Sequence, residues 1–221
     1  MKTESLYLKL HSFRLNSLSS EDRDYLAERE IETIQILEEI CDESFISSGK
    51  KVADIGCGDR FLETAFSKKD MVYEGFDIMD LDIEVEKIDR QDDFYDLVIC
   101  YALIEHLKSP SNLVSEALRV LRPGGAFLVQ TPNWHYSSKI FYDDYTHLHP
   151  YTPLSLGNLL SAEGFNRVHK FPNLRCKPKY FYTNRFAFFI ANILPFRGGG
   201  SSLIPSILKG RSKGMILVAI K

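Results

Sequence analysis

An apolar run that breaks into two glycines one residue apart, Lys51-Val52-Ala53-Asp54-Ile55-Gly56-Cys57-Gly58, constrains this chain more than any other stretch. The run reads as a buried strand and the glycines as a tight turn after it. Glycine takes positive φ and lets another group approach without a Cβ in the way. In an open α/β sheet the loop after the first strand sits at the carboxyl edge, where ligands bind. The stretch therefore points to a nucleotide-like ligand on the turn. A dinucleotide turn asks for G-x-G-x-x-G, whose last glycine lets helix and strand pack closely. Phe61 holds that place and is too large for the role. The triphosphate pattern G-x-x-x-x-G-K-[ST] is absent from the chain.

The rest of the pattern alternates strand and helix, which implies a buried, mostly parallel sheet. Ser19 and Ser20 followed by Glu21 and Asp22 predict a helix start, a hydroxyl cap with acids in the first turn. Leu26, Ile31, Ile34, Leu37, Ile40 and Cys41 continue at helical spacing, so a helix is expected over about 20–42. Strands are expected at Lys51–Ile55, Met71–Asp77, Leu81–Val85, Phe94–Cys100, Ala126–Thr131, Arg167–Phe171 and Met215–Ile220. Helices are expected at Phe61–Ser67, from Ser109 or Pro110 to Val120, and from Thr152 or Pro153 to about Gly164. Asp77 lies 19 residues past Gly58 and closes the second strand. An acid there can accept hydrogen bonds from ribose hydroxyls.

At 221 residues the chain suits one domain, with a helical arm at 1–45 and an aromatic, basic insertion at 172–214. The net charge of −3 hides an asymmetry. Residues 1–163 carry all 30 acidic residues and 16 of the 27 Lys/Arg, a net −14, while residues 164–221 carry 11 Lys/Arg and no acid, a net +11. Such a segment suits peripheral membrane contact, a lid packed on the core, or a basic edge paired with the acidic body. Base stacking on nucleic acid is a further reading, without an RNA-binding module beside it. The longest strongly apolar run, Phe186–Phe196, is too short to span a bilayer, which needs about 20 residues. Four scattered cysteines, Cys41, Cys57, Cys100 and Cys176, form no C-x-x-C and imply a reducing, cytoplasmic setting.

The stretches VADIGCG, YEGFDI, FYDLVICYALIEHL, LRVLRPGGAFLVQTPN and YDDYTHLHPYTPLSLGNLLSAEGF occur in that order. Together they resemble the class I S-adenosylmethionine-dependent methyltransferases, in the branch (types 11 and 23) that includes ubiquinone-biosynthesis-type O-methyltransferases. The resemblance covers roughly residues 30–171 and the last strand. It implies a Rossmann-like, doubly wound, mostly parallel seven-stranded sheet with an antiparallel C-terminal strand, and helices on both faces. It implies S-adenosyl-L-methionine as cofactor and methyl transfer to a small-molecule, glycan or lipid-linked acceptor, with oxygen as the expected target. One departure stands out. The pattern D-x-G-x-G-x-G reads here as Asp54, Gly56, Gly58 and then Arg60. Arg60 could point away from the site, meet the cofactor's carboxylate or weaken binding, and it motivates the alternative of a non-catalytic cofactor-binding scaffold.

On this resemblance Gly56, Cys57 and Gly58 offer backbone to the methionine part of the cofactor, with Asp54 orienting the turn. Asp77 takes the ribose, Ile78 packs on the adenine face, Asp82 and Ile83 meet the adenine edge, and Tyr101 and Ala102 line the methionine end. The base is sought among His135, Asp143, Asp144, His147 and His149, beyond the fifth strand, with His147 first. His has a pKa suited to removing a hydroxyl proton. Glu105-His106 is read as structural, His147 alternatively as a loop-ordering residue bonded to Asp144. No H-x-x-x-H or H-E-x-x-H helix spacing occurs, so no metal is expected.

Overall fold

The structure, a computed structural model, describes residues 19–174, 179–194, 196–197, 209–211 and 213–221. The first 18 residues of the expected N-terminal arm, parts of the expected insertion and Cys176 lie outside them. Helix α1 (Ser20–Cys41) starts as its sequence demands. The Ser19 hydroxyl accepts from the Asp22 amide at 3.1 Å, and acids fill the first turn. Such a cap contributes about 1 kcal/mol. The helix ends at Asp42 in the left-handed region, φ 56°.

Strand β1 (Lys51–Ile55) leads through the glycine turn to a short helix α2 (Glu63–Ser67) and β2 (Val72–Phe76). Then follow β3 (Tyr95–Tyr101), α3 (Ser111–Val120), β4 (Leu121–Pro132), a single-turn α4 (Trp134–Ser137), α5 (Pro153–Glu163) and β5 (Arg167–Pro172). The insertion carries α6 (Tyr180–Thr183), α7 (Arg185–Ile193), and the short strands β6 (Phe196–Arg197) and β7 (Lys209–Arg211), which pair with each other. The last strand is β8 (Gly214–Ile220).

The main sheet runs β2-β1-β3-β4-β8-β5. The pairs β1–β2, β1–β3 and β3–β4 are parallel, and β8 is antiparallel to both β4 and β5. Alternation along the strands makes two apolar layers. On one face Val52, Leu97, Ile99, Leu128, Ile216 and Val218 pack against Ile31, Ile34 and Leu37 of α1. On the other Ala53, Val98, Val129 and Leu217 pack against Val114, Ala117, Leu156 and Leu160 of α3 and α5. Each such Leu, Ile or Val taken out of water contributes about 1.5–3 kcal/mol before entropy is counted. Helix α5 has the expected ends: a capping box between Thr152 and Ser155, and Gly164 at φ 114°.

The sheet has six strands, not the seven expected. The missing one is Leu81–Val85. Its period-two apolar pattern imitates a strand, but its backbone makes turns: the Leu81 amide donates to the Asp77 carbonyl and the Glu86 amide to the Asp82 carbonyl, each at 2.8 Å. Leu81, Ile83 and Ile88 are buried in the layer beneath α3. The acids around them are stitched to α3. Glu84 accepts from the Lys108 and Ser109 amides just before that helix, and Glu116 accepts from the Ile88 amide. Asn112 donates to the carbonyls of Ile83 and Glu86. A segment whose backbone groups are satisfied from a neighbouring helix does not need a ladder.

Candidate functional site

From β1 the chain crosses to β2 on one side, while β3 lies on the other, so the strand order reverses between β1 and β3 although the two strands are parallel. Ligands in open α/β sheets bind outside the carboxyl ends of the strands at such a point. The turn Gly56–Gly58 fills it. The amides of Gly56 and Cys57 both donate to the Phe76 carbonyl at the end of β2, at 2.7 and 3.2 Å. Gly56 is required twice over. Its φ is 79°, and a Cβ there would lie 2.9 Å from Leu103 Cδ2. Gly58 has φ 54°. Across the point Ala102 also takes a left-handed conformation, φ 51°, its amide donating to the Gln130 carbonyl at 2.9 Å.

Asp77 ties turn and strand together. One carboxylate oxygen accepts from the Gly58 amide at 2.8 Å, the other from the Ile78 amide at 2.7 Å. Both oxygens keep lone pairs for hydroxyl donors. Ile78 and the neighbouring Met79 are 39% and 61% exposed, an open apolar ledge beside that carboxylate. A glycine turn bare of side chains, a carboxylate with spare acceptors and an apolar ledge together fit a nucleoside-like ligand. Ile83 does not share that ledge: it is buried in the core. Asp82 accepts from the Glu84 amide at 3.2 Å within its own turn.

Beneath the turn lies a buried polar cluster. Asp54 is 3% exposed and accepts from the Tyr73 hydroxyl at 2.7 Å. Burial pushes its pKa up to about 7; the Tyr73 bond pulls it down, Asp77 raises it, and Arg60 lowers it. Burial likewise pushes the Cys57 thiol up to about 12, which leaves it unreactive. Arg60 keeps the backbone of the missing glycine, with φ 59°. Its guanidinium lies 5.8 Å from the centre of the Tyr73 ring, and its Nε is 3.6 Å from Glu63. A Cβ on Gly75 would come within 2.8 Å of Cys57 Sγ and 3.1 Å of Arg60 Nε, so Gly75 makes the room that these two side chains fill. Arg60 thus folds down over β2.

The loop that follows β4 supplies the other half of the site. Glu105 anchors it: the Glu105 carbonyl accepts from the amides of Leu148 and His149 at 2.8 and 3.0 Å. Its carboxylate accepts from the Thr131 hydroxyl at 2.9 Å. Burial pushes Glu105 up to about 7, with Asp144 adding to the rise and the Thr131 bond opposing it. Thr146 donates its hydroxyl to Asp144 at 2.6 Å and meets His106 Nδ1 at 3.0 Å, while its carbonyl lies 3.2 Å from the same nitrogen. His147 Nδ1 sits 2.6 Å from the Phe141 carbonyl, not on Asp144. A carbonyl only accepts, so both rings carry a proton on Nδ1, and a neutral His147 keeps its Nε2 lone pair as the basic site. The two rings are 4.7 Å apart.

One ligand atom from each of Glu105, His106 and His147 lies within 4.8 Å of the others, close enough to share a cation. Asp144 stays low: burial would raise it, but the bonds from Thr146 and the imidazoles His147 and His106 outweigh that. His135 stands outside the cluster, exposed, its amide capped by Asn133. His149 turns its Nε2 to the Lys108 carbonyl. Asp143 is exposed. Tyr101 ends β3 on the same face as Asp54 and Tyr73. Sequence reasoning missed Tyr73, Gly75 and Met79. Only the Gly75 of YEGFD, a glycine inside a strand pattern, signals a close approach.

A glycine turn at the switch point of a doubly wound sheet, backed by an acid at the end of β2, defines a nucleoside-cofactor protein of the Rossmann-like class. Over residues 23–170 the chain matches a family described as a methyltransferase domain, and it belongs to that family. Its cofactor is S-adenosylmethionine. Among similar proteins is the ubiquinone biosynthesis O-methyltransferase of Pseudomonas entomophila (strain L48), 27% identical over 112 residues, 42% of this chain and 48% of that protein. The chain thus spans about half the length of the curated relatives it matches. Among solved structures, a SAM-dependent methyltransferase from Archaeoglobus fulgidus shares the fold with TM-score 0.56 at 18% identity, over 87% of this chain and 94% of that one. A Haemonchus contortus N-methyltransferase, in complex with S-adenosylhomocysteine, gives TM-score 0.52 at 17% identity, over 85% of this chain and 52% of that one.

Proposed function

We propose that this domain methylates an oxygen of a small-molecule, glycan or lipid-linked acceptor, with His147 as the base. The observation that carries the reading is the Nδ1–H bond from His147 to the Phe141 carbonyl, which fixes the ring and presents Nε2 as a proton acceptor. The relatives named ubiquinone biosynthesis O-methyltransferases support oxygen as the target. S-adenosylmethionine, when bound, supplies a methyl group already activated on a sulfonium. The protein's task is then to position the acceptor and accept its proton. Gly56, Cys57 and Gly58 would hold the methionine part by backbone, Asp77 the ribose, and Ile78 with Met79 the adenine. Tyr101 and Ala102 would close the methionine end. Trp134 and Tyr142, whose rings lie 6.2 Å apart, and Tyr145 would flank an acceptor ring or chain over His147.

Calorimetry with S-adenosylmethionine and its demethylated product tests the cofactor half. An absence of heat would leave the scaffold alternative standing. For the base, His147→Gln should lower kcat by about 10²- to 10⁴-fold while leaving cofactor affinity unchanged. A chelator that abolishes activity, restored by a divalent cation, would reassign His147 from base to ligand alongside Glu105 and His106.

A further inference from the structure

Helix α7 reads RFAFFIANI and turns two of its phenylalanines out to water. Asn184 caps it, accepting from the amides of Phe186 and Ala187 at 3.0 and 2.9 Å. Of its described side chains Ala187 and Ala191 are buried, 5% and 0% exposed. Its outward face carries Phe186 and Phe189, 71% and 60% exposed and three residues apart on one stripe. Tyr180, in the helix before it, is 58% exposed. A soluble helix buries its large apolar side chains; α7 instead exposes Phe186 and Phe189.

The surrounding charge says what this face meets. The last 58 residues, 164–221, carry 11 Lys/Arg and no acid; Arg167, Lys179 and Lys221 of these are paired with Glu43, Glu39 and Asp93 of the body, while Arg185, exposed, opens the helix itself. The preceding body is net −14. We propose that α7 seats on an anionic lipid bilayer, with Phe186 and Phe189 in the interfacial region and the basic segment against the head groups. Aromatic side chains on an amphipathic segment with flanking Lys/Arg bind such a surface by combined apolar burial and electrostatic attraction. The acidic body is repelled, which orients the molecule with one end down. The insertion leaves β5 and returns to β8 at the carboxyl edge of the sheet, so the end that docks is the end that carries the cofactor turn and the histidine loop. Among the described residues no helix is long and apolar enough to cross a membrane, so α7 lies on the surface.

This goes beyond the acceptor reading, and its test needs no methyl transfer, so each can fail alone. The full chain is co-sedimented with vesicles of phosphatidylcholine, with and without phosphatidylglycerol. Binding is expected to phosphatidylglycerol vesicles only, and to fall steeply as salt is raised. Phe186→Ser with Phe189→Ser should weaken it on the order of tenfold for each phenylalanine. Both side chains are exposed, so the melting temperature and the heat of S-adenosylmethionine binding should stay as in the parent. No sedimentation with phosphatidylglycerol at low salt overturns the proposal, as does undiminished sedimentation of the double variant. A concentration-dependent dimer in light scattering, lost in that variant and unaccompanied by vesicle binding, also overturns it, and makes the face an interface between copies of this chain.

Discussion

At the scale of single residues, the glycine turn separates what the backbone needs from what a side chain adds. Gly56→Ala places a methyl 2.9 Å from Leu103 Cδ2 in a left-handed backbone, and strain of this kind costs about 1–3 kcal/mol. It should abolish measurable cofactor heat and lower the melting temperature. Arg60→Gly, by contrast, keeps a backbone that suits glycine and removes a guanidinium lying on Tyr73; cofactor affinity in calorimetry should shift by no more than about 0.5 kcal/mol. Asp54 gives the pH dependence. Its folded pKa of about 7 stands above the 3.8 of a free side chain, so between those values the folded state holds the extra proton. Stability from this group is complete below about pH 4 and is lost as pH rises through 7. Asp54→Asn, read by denaturant titration across that range, should flatten the fall by on the order of 4 kcal/mol. Glu105, raised in the same direction, leaves the remaining slope. The Gly56–Gly58 turn and Asp77 could be read from spacing alone. The Asp54–Tyr73 bond could not, because it depends on the parallel register that sets Asp54 beside Gly75 and on which face of β2 the tyrosine takes.

At the scale of elements, the histidine loop is held by the segment after β3 rather than by its own sequence. Thr146 is the hinge of that hold, bonded to Asp144 and to His106 at once. Thr146→Val removes both bonds and keeps the shape. Each is worth about 1 kcal/mol, or somewhat more to the charged Asp144. The expected result is a fall in kcat with cofactor affinity intact, because Gly56, Gly58 and Asp77 are untouched. The apolar runs of β1, β3, β4 and β8 announced themselves, since strands buried on both faces must be continuously apolar. Leu81–Val85 misled because periodicity records burial of alternate residues, and a turn can bury alternate residues too. Its true partners, Asn112 and Glu116, lie on a helix well downstream and leave no local trace. Helix α7 had the opposite problem: its apolar run was plain, and only the structure shows that Ala187 and Ala191 face in while Phe186 and Phe189 face out.

At the scale of the whole molecule, β8 joins the two halves of the sheet. It lies between β4 and β5, with Met215, Ile216, Leu217, Val218 and Ala219 all at 0% exposure and contributing to both apolar layers. A chain stopped at residue 213 should therefore show no cooperative thermal transition by circular dichroism, even though it keeps the glycine turn, Asp77 and every histidine. The same strand order governs how the protein is made. β5 leaves the ribosome some forty residues before the strand that must slide in beside it, since β5 ends at Pro172 and β8 begins at Gly214. Until then β4 presents a naked apolar edge, the kind of edge that recruits a stray strand from another chain. The insertion that separates β5 from β8 thus also sets a delay during synthesis, over which one edge of a half-built sheet stays open.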